Sequence, residues 1–279
     1  MGTDLDPRRH PFREDLAGEY LRGSVKAERF AKADPMQVCV SVAPLKSSPE
    51  ATSLASELIY GEVFDVYEVL EDWVWGQNQR DGYVGYVPKG SLRKVIPATH
   101  QVATRFAQVY EAPHFKSTPV MSIPFLSPVS ATDVVDGFLK TKDGFICEKH
   151  MQMPKRSFVE TARLFLGTPY LWGGRSTLGL DCSALVQLSL GALGQDCPRD
   201  SDMQMADLGE DVGSGGPYEE GDLLFWKGHV AIVLDANTLI HANAFHMRVE
   251  IESISGAISR IAKSDGLVTA HKRMADVNS

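Results

Sequence analysis

The stretch Asp181-Cys182-Ser183 sets one thiol at the start of a helix, directly behind a turn that cannot be helical. Upstream, Thr168-Pro169-Tyr170-Leu171-Trp172-Gly173-Gly174 must bend sharply, because a proline and paired glycines punctuate it. Downstream, Leu185, Val186, Leu190 and Leu193 recur at helical spacing, so a helix with a buried face begins close to Cys182. Asp181 is a good N-cap and would put Cys182 at the first helical position. Unpaired backbone N–H groups and the positive helix end favour a thiolate there, and the thiolate is the nucleophilic form of cysteine. The pattern predicts a reactive thiol with a lowered pKa. The alternative is a buried structural cysteine.

A nucleophilic cysteine needs a base. Gly221-Asp222 reads as a turn, followed by strands over Leu223–Trp226, His229–Leu234 and from Leu239 onward, with turns at Lys227-Gly228 and Asp235–Thr238. His229 then opens a strand beside a turn, where an imidazole reaches a cleft, and His241 lies in the neighbouring strand. Side chains alternate with a period of two, so the two histidines share a face only if the loop is odd in length or a bulge intervenes. If they do, His241 can hold His229 in the tautomer and orientation that activates the thiol. His10, His100, His114, His150, His246 and His271 have no comparable setting and read as surface residues.

A chain of 279 residues exceeds the usual size of one domain. Its hydrophobic content of 43% and charged content of 23% are ordinary for a globular protein. The formal net charge of −8 argues against nucleic acid or an anionic membrane surface as the main partner. Cys39, Cys147, Cys182 and Cys197 are scattered without metal-ligand pairing, so neither a metal nor another cofactor is expected. No window has the length of an uninterrupted apolar membrane span. The decamer Met1–His10 is charged throughout and lacks an apolar core, so it does not read as a secretory signal. Asp6 also breaks the myristoylation pattern. The expected compartment is the cytoplasm.

Ahead of the thiol the chain looks like small β-rich modules. Residues 62–70 and 73–77 alternate apolar and polar residues, Arg80-Asp81-Gly82 is a turn, and Tyr83–Pro88 is a short strand ended by proline. Ala43-Pro44 recurs as Ala112-Pro113 and Asp65-Val66 as Asp133-Val134, a weak repeat of about seventy residues. Glu14 to Arg29 shows mild helical spacing. The expected boundaries are an N-terminal extension with a helix over 1–35, modules over 36–97 and 98–152, and a catalytic domain over 153–279. In that last domain Ser157–Glu160 is a capping box, with Phe158, Ala162, Phe165 and Leu166 marking one helical face. Ser201 would cap a short helix over 202–208 that Gly209 ends. Helices followed by antiparallel strands give an α+β domain.

The runs Gly167–Gly174, Leu180–Val186, Pro198–Ser201, Gly221–Leu223, Gly228–Ile232 and Leu239–Ala242 together resemble the NlpC-like (p60-type) cysteine peptidases, which cut bacterial cell-wall peptides. The resemblance covers roughly Arg156 to Lys272. It implies a papain-like fold, with the two modules ahead of it similar to bacterial SH3-like barrels. It implies Cys182 as nucleophile, His229 as base and His241 as the orienting third member. The Tyr170 hydroxyl and the backbone N–H of Cys182 would face the oxyanion. Ala184 departs from the glycine that many relatives carry after the Cys-Ser pair, and alanine is the better helix former.

Relatives with an SH3-like barrel ahead of the peptidase act on free murein peptides with an unblocked N-terminal L-alanine. By that resemblance, Asp200 and Tyr83 would meet the substrate ammonium, with Glu62 or Glu57 as a further carboxylate there. Ser183 and Ser201 would bond the peptide or its D-glutamate carboxylate, and Trp172 would join the substrate-binding set. The implied reaction is hydrolysis of the γ-D-glutamyl–diamino acid bond of L-Ala-γ-D-Glu-diamino acid peptides in cell-wall recycling. A secreted wall-remodelling hydrolase, an acyltransferase and a non-catalytic wall-peptide binder stay open as alternatives, because architecture alone does not fix chemistry.

Overall fold

A computed structural model describes residues 5–213 and 216–275; Met1 to Asp4, the first residues of the charged decamer, lie outside them. The chain divides into two compact units, Met1–Met153 and Pro154–Ser279.

The first unit is built from two five-stranded antiparallel sheets. One joins Val84–Pro88, Trp73–Asn78, Val63–Val69, Asp34–Val38 and Leu92–Lys94, in that order. Of the alternation read over 62–70, only the part from Val63 to Val66 holds, burying Phe64 and Val66, and a register shift between Val66 and Glu68 ends it. The other sheet joins Pro119–Pro124, Phe106–Tyr110, Gly144–Cys147, Phe138–Thr141 and Ala131–Val135. Both follow one cyclic strand order, opened at different points. Asp65-Val66 sits in the central strand of the first sheet and Asp133-Val134 in an edge strand of the second. Asp143 ties the two segments together, receiving bonds from Arg93 and from the Tyr60 hydroxyl.

The helix expected over 14–29 is replaced by short strands at Leu16–Gly18 and Arg29–Ala31 around a single 3₁₀ turn, Glu19–Leu21. Ala17, Leu21 and Val25, four residues apart, are nonetheless buried together. Extended Gly18 and left-handed Gly23, at φ +89°, break the helix that would otherwise carry it.

In the second unit, α1 (Phe158–Arg163) starts on the expected capping box, Ser157 accepting from Glu160 N–H and Glu160 from Ser157 N–H. The helix ends before Leu166, which is exposed rather than on the buried face. Helix α2 (Cys182–Gly191) is buried along its whole length. Helix α3 (Ser201–Asp207) starts one residue earlier than expected, with Asp200 at the N-cap position but without a side-chain capping bond, and Gly209 at φ +58° follows its end. A six-stranded antiparallel sheet follows: β1 (Glu210–Asp211), β2 (Leu223–Trp226), β3 (His229–Val233), β4 (Thr238–Asn243), β5 (Arg248–Ser253) and β6 (Ala270–Arg273), in the order β1-β6-β2-β3-β4-β5. Leu224, Trp226, Ala231, Val233 and Leu239 form one face, covered by Ile254, Ala257 and Ile261 of α4 (Ile254–Ile261). Helix α2 packs against β3 and β4.

Candidate active site

Asp181 caps α2 by accepting from the Ala184 N–H at 2.9 Å, which makes Cys182 the first helical residue. The same carboxylate accepts from Gly173 N–H at 3.1 Å, pinning the glycine turn to the helix start. Arg199, 1% exposed, grips it with both guanidinium ends at 2.9 and 2.7 Å. A carboxylate and an arginine this deep are tolerable only as a fully bonded pair. Ser183 belongs to that network: its hydroxyl donates to Asp181 and accepts from Arg199. It is expected at substrate; in the structure its hydroxyl is bonded to the Asp181–Arg199 pair at the helix start. Cys197 lies under the same helix, with Gln204 Nε2 at 3.4 Å from its sulfur.

Cys182 is 7% exposed, and its sulfur lies 4.0 Å from the carbonyl of Gly228, the residue before His229. The register Ile232↔Ile240 and Val233↔Leu239 settles the question of faces. Residues 234–238 form an odd-length connection, so His229 and His241 point to one side without any bulge. His229 Nε2 lies 2.8 Å from His241 Nδ1. Beyond it, His241 Nε2 lies 2.7 Å from Glu252 Oε1 on β5, and Arg260 of α4 bonds the same oxygen. Glu252 and Arg260 were not legible in the sequence, because the register of β5 and the placement of α4 bring them in.

These contacts fix the protons. Arg260 and His241 outweigh burial and hold Glu252 down to about 2, so it is an ionised acceptor. His241, kept neutral by burial, donates from Nε2 and keeps a lone pair on Nδ1. That lone pair accepts from His229 Nε2–H, which leaves the His229 Nδ1 lone pair free for a proton. Burial, with His241 and Arg260 adding to it, depresses His229 to about 3. For Cys182 the balance is the reverse of the sequence expectation. Burial and the Asp181 charge push the thiol up to about 12, against backbone N–H groups of Val230 and Ser183 and the charge of Arg199. Burial disfavours the thiolate that the helix start favours, and here burial outweighs the helix start. The free site is a neutral thiol–imidazole pair.

Tyr170 stays a protonated donor, since burial and neighbouring Cys182 and Asp181 push its ionisation up. It lines a cavity of about 410 Å³ together with His229, Asn243 and Trp172, which is 64% exposed. Asp200 and Ser201, both half-buried at the start of α3, lie off that lining. Tyr83 belongs to the first unit, buried in the wall of a cavity it shares with Arg13, Trp75 and Tyr86. Glu62, also in the first unit, is buried off that lining and accepts from the Ile59 N–H. Of the histidines read as surface residues, His271 is buried instead, 2.7 Å from Asp222.

A thiol on a helix start beside a histidine-led antiparallel sheet defines the cysteine-peptidase class of site. Residues 167–262 match the NlpC/P60 family, and residues 45–92 match the bacterial dipeptidyl-peptidase SH3 domain. The chain therefore carries an NlpC/P60 domain with a bacterial SH3 domain N-terminal to it, and is a peptidase of that type. It is 26% identical over 261 residues to dipeptidyl-peptidase 6 of Lysinibacillus sphaericus, covering 78% of this chain and 90% of that protein. It is 24% identical to the gamma-D-glutamyl-L-lysine dipeptidyl-peptidase of Bacillus subtilis, over 74% of this chain and 77% of the other. A crystal structure of an NlpC/P60 family protein from Bacillus cereus shares the fold, with a TM-score of 0.70 at 19% identity over 86% of this chain and 99% of that one.

Proposed function

We propose that the protein is a cysteine endopeptidase that hydrolyses the γ-D-glutamyl–diamino acid bond of free murein peptides with an unblocked N-terminal L-alanine, in cell-wall recycling. The carrying observation is the hydrogen-bonded row behind the Cys182 thiol, from His229 through His241 to Glu252. The substrate class rests on the relatives, two of which are named as gamma-D-glutamyl-L-lysine dipeptidyl-peptidases.

In this reading His229 Nδ1 takes the thiol proton as Cys182 Sγ attacks the γ-carbonyl carbon. The oxyanion forms against the Tyr170 hydroxyl and the Cys182 backbone N–H. The C–N bond then breaks, His229 returns the proton to the leaving amine, and a thioester remains. Water attacks the thioester, giving its proton to His229, and the thiol is restored as the acid leaves. Because both resting groups are neutral, proton transfer accompanies attack. Asp200 is the proposed partner of the substrate ammonium, with Ser201 beside it, and Trp172 is an aromatic wall of the cavity beside His229.

The test compares L-Ala-γ-D-Glu-L-Lys with its N-acetyl-alanyl form. A neutral acetyl amide cannot make the charge-assisted contact that the ammonium makes to Asp200, so kcat/KM should fall by roughly a hundredfold or more. Equal cleavage of both, or release of peptides from intact sacculi, overturns the recycling assignment.

A further inference from the structure

The cavity beside His229 holds charges that the chemistry above does not use. Lys227, on the turn between β2 and β3, and Asp265, just past α4, both line it. Neither makes an ion pair among the described residues; the Asp265 carboxylate accepts only from the Ser264 hydroxyl. Arg260 also lines the cavity, but its guanidinium is engaged with Glu252 and stacked 4.5 Å over the Phe245 ring. A pocket with one free cation and one free anion, walled by exposed Trp172 and Phe245, suits a zwitterion with an aliphatic stem.

Its position says which part of the substrate enters. The leaving amine takes its proton from His229, so the leaving residue must lie against that imidazole. His229 lines this cavity, whereas Asp200 and Ser201, assigned to the acyl side, do not. We infer that the cavity is the subsite for the leaving diamino acid, and that Asp265 and Lys227 select it with its side-chain ammonium and its carboxylate both free. This rests on the function proposed above and deepens it. A side-chain amine already acylated in a wall cross-link is neutral and offers Asp265 nothing, so un-cross-linked peptides are preferred.

The full-length enzyme and its Asp265→Asn and Lys227→Met variants would be assayed on three peptides. They are L-Ala-γ-D-Glu-L-Lys, the same peptide with Nε-acetyl-lysine, and its C-terminal amide. For the unaltered enzyme, kcat/KM should favour free lysine over acetyl-lysine by about three- to tenfold, the scale of a partly exposed ion pair. Asp265→Asn should abolish that preference and keep the preference for the free carboxylate. Lys227→Met should do the converse. Equal cleavage of the lysine and acetyl-lysine peptides by the unaltered enzyme, or an Asp265→Asn variant that keeps the preference, overturns the subsite alone. Failure to cleave any of the three overturns the proposed function together with it.

Discussion

Glu252 Oε1 lies 2.7 Å from His241 Nε2, and this bond, one residue removed from the base, decides which nitrogen of His229 faces the thiol. A carboxylate accepts only, so it forces the proton of His241 onto Nε2 and the lone pair onto Nδ1. Glutamine at 252 can donate as well as accept and no longer imposes that choice. We expect Glu252→Gln to lower kcat at least roughly tenfold with KM nearly unchanged, since a wrong tautomer in a Ser-His-Asp triad costs about 10⁴. Wild-type kcat in the variant would remove Glu252 from the mechanism.

The buried thiol yields a prediction of opposite sign to the helix-start argument. Burial raises Cys182 and lowers His229, so the substrate-free enzyme should hold a neutral pair at pH 7. Alkylation of Cys182 by iodoacetamide should accelerate through the alkaline range, with its midpoint above the ordinary cysteine value of about 8.5. A rate already on its plateau at neutral pH would mean a preformed thiolate–imidazolium pair. Cys182→Ala should abolish turnover altogether, whereas Cys39 and Cys147 should tolerate serine.

Arg199 gives a stability prediction. Removing one partner of a buried, bidentate pair strands the other charge, at a penalty of about 3–5 kcal/mol. Arg199→Ala should show that loss in chemical denaturation, because Asp181 stays buried among groups fixed to it. Asp181→Asn combined with Arg199→Met should recover part of it. Equal stability of Arg199→Ala and the parent would show that the pair contributes nothing net.

What the sequence disclosed divides by range. Local signals were sufficient for the Asp181 cap, the Ser157 capping box and the strand at His229, each set by neighbours a few residues apart. The parity of His229 and His241 was reducible to loop length, but only the observed register chose between the alternatives. Glu252 and Arg260 depend on β5 and α4 folding back beside β4, which no local pattern announces. Around 14–29 a true buried spacing was assigned to the wrong backbone, since Gly18 and Gly23 carry the chain through turns that place the same side chains inward. The fate of Ser183 follows from Arg199, sixteen residues on, reaching back under the helix start.

Asp222 links the stability of the second unit to pH. Burial alone would raise its carboxyl, but bonds from Arg273, the Glu219 N–H and His271 outweigh burial and hold it below its ordinary value of 3.8. A carboxylate depressed in the folded state adds stability above that value and loses it as the pH falls through the folded value. Its partners His271 and Arg273 lie on β6, so protonation loosens the strand that joins β1 to β2. The melting temperature should therefore drop between pH 7 and pH 3. The drop should be smaller in Asp222→Asn, which lacks the titrating group and starts from a lower value at pH 7. Part of the acid loss should persist in that variant, because Glu252, held down to about 2, titrates in the same direction. An identical drop in variant and parent would mean that β6 is fastened by its backbone ladder and not by this carboxylate.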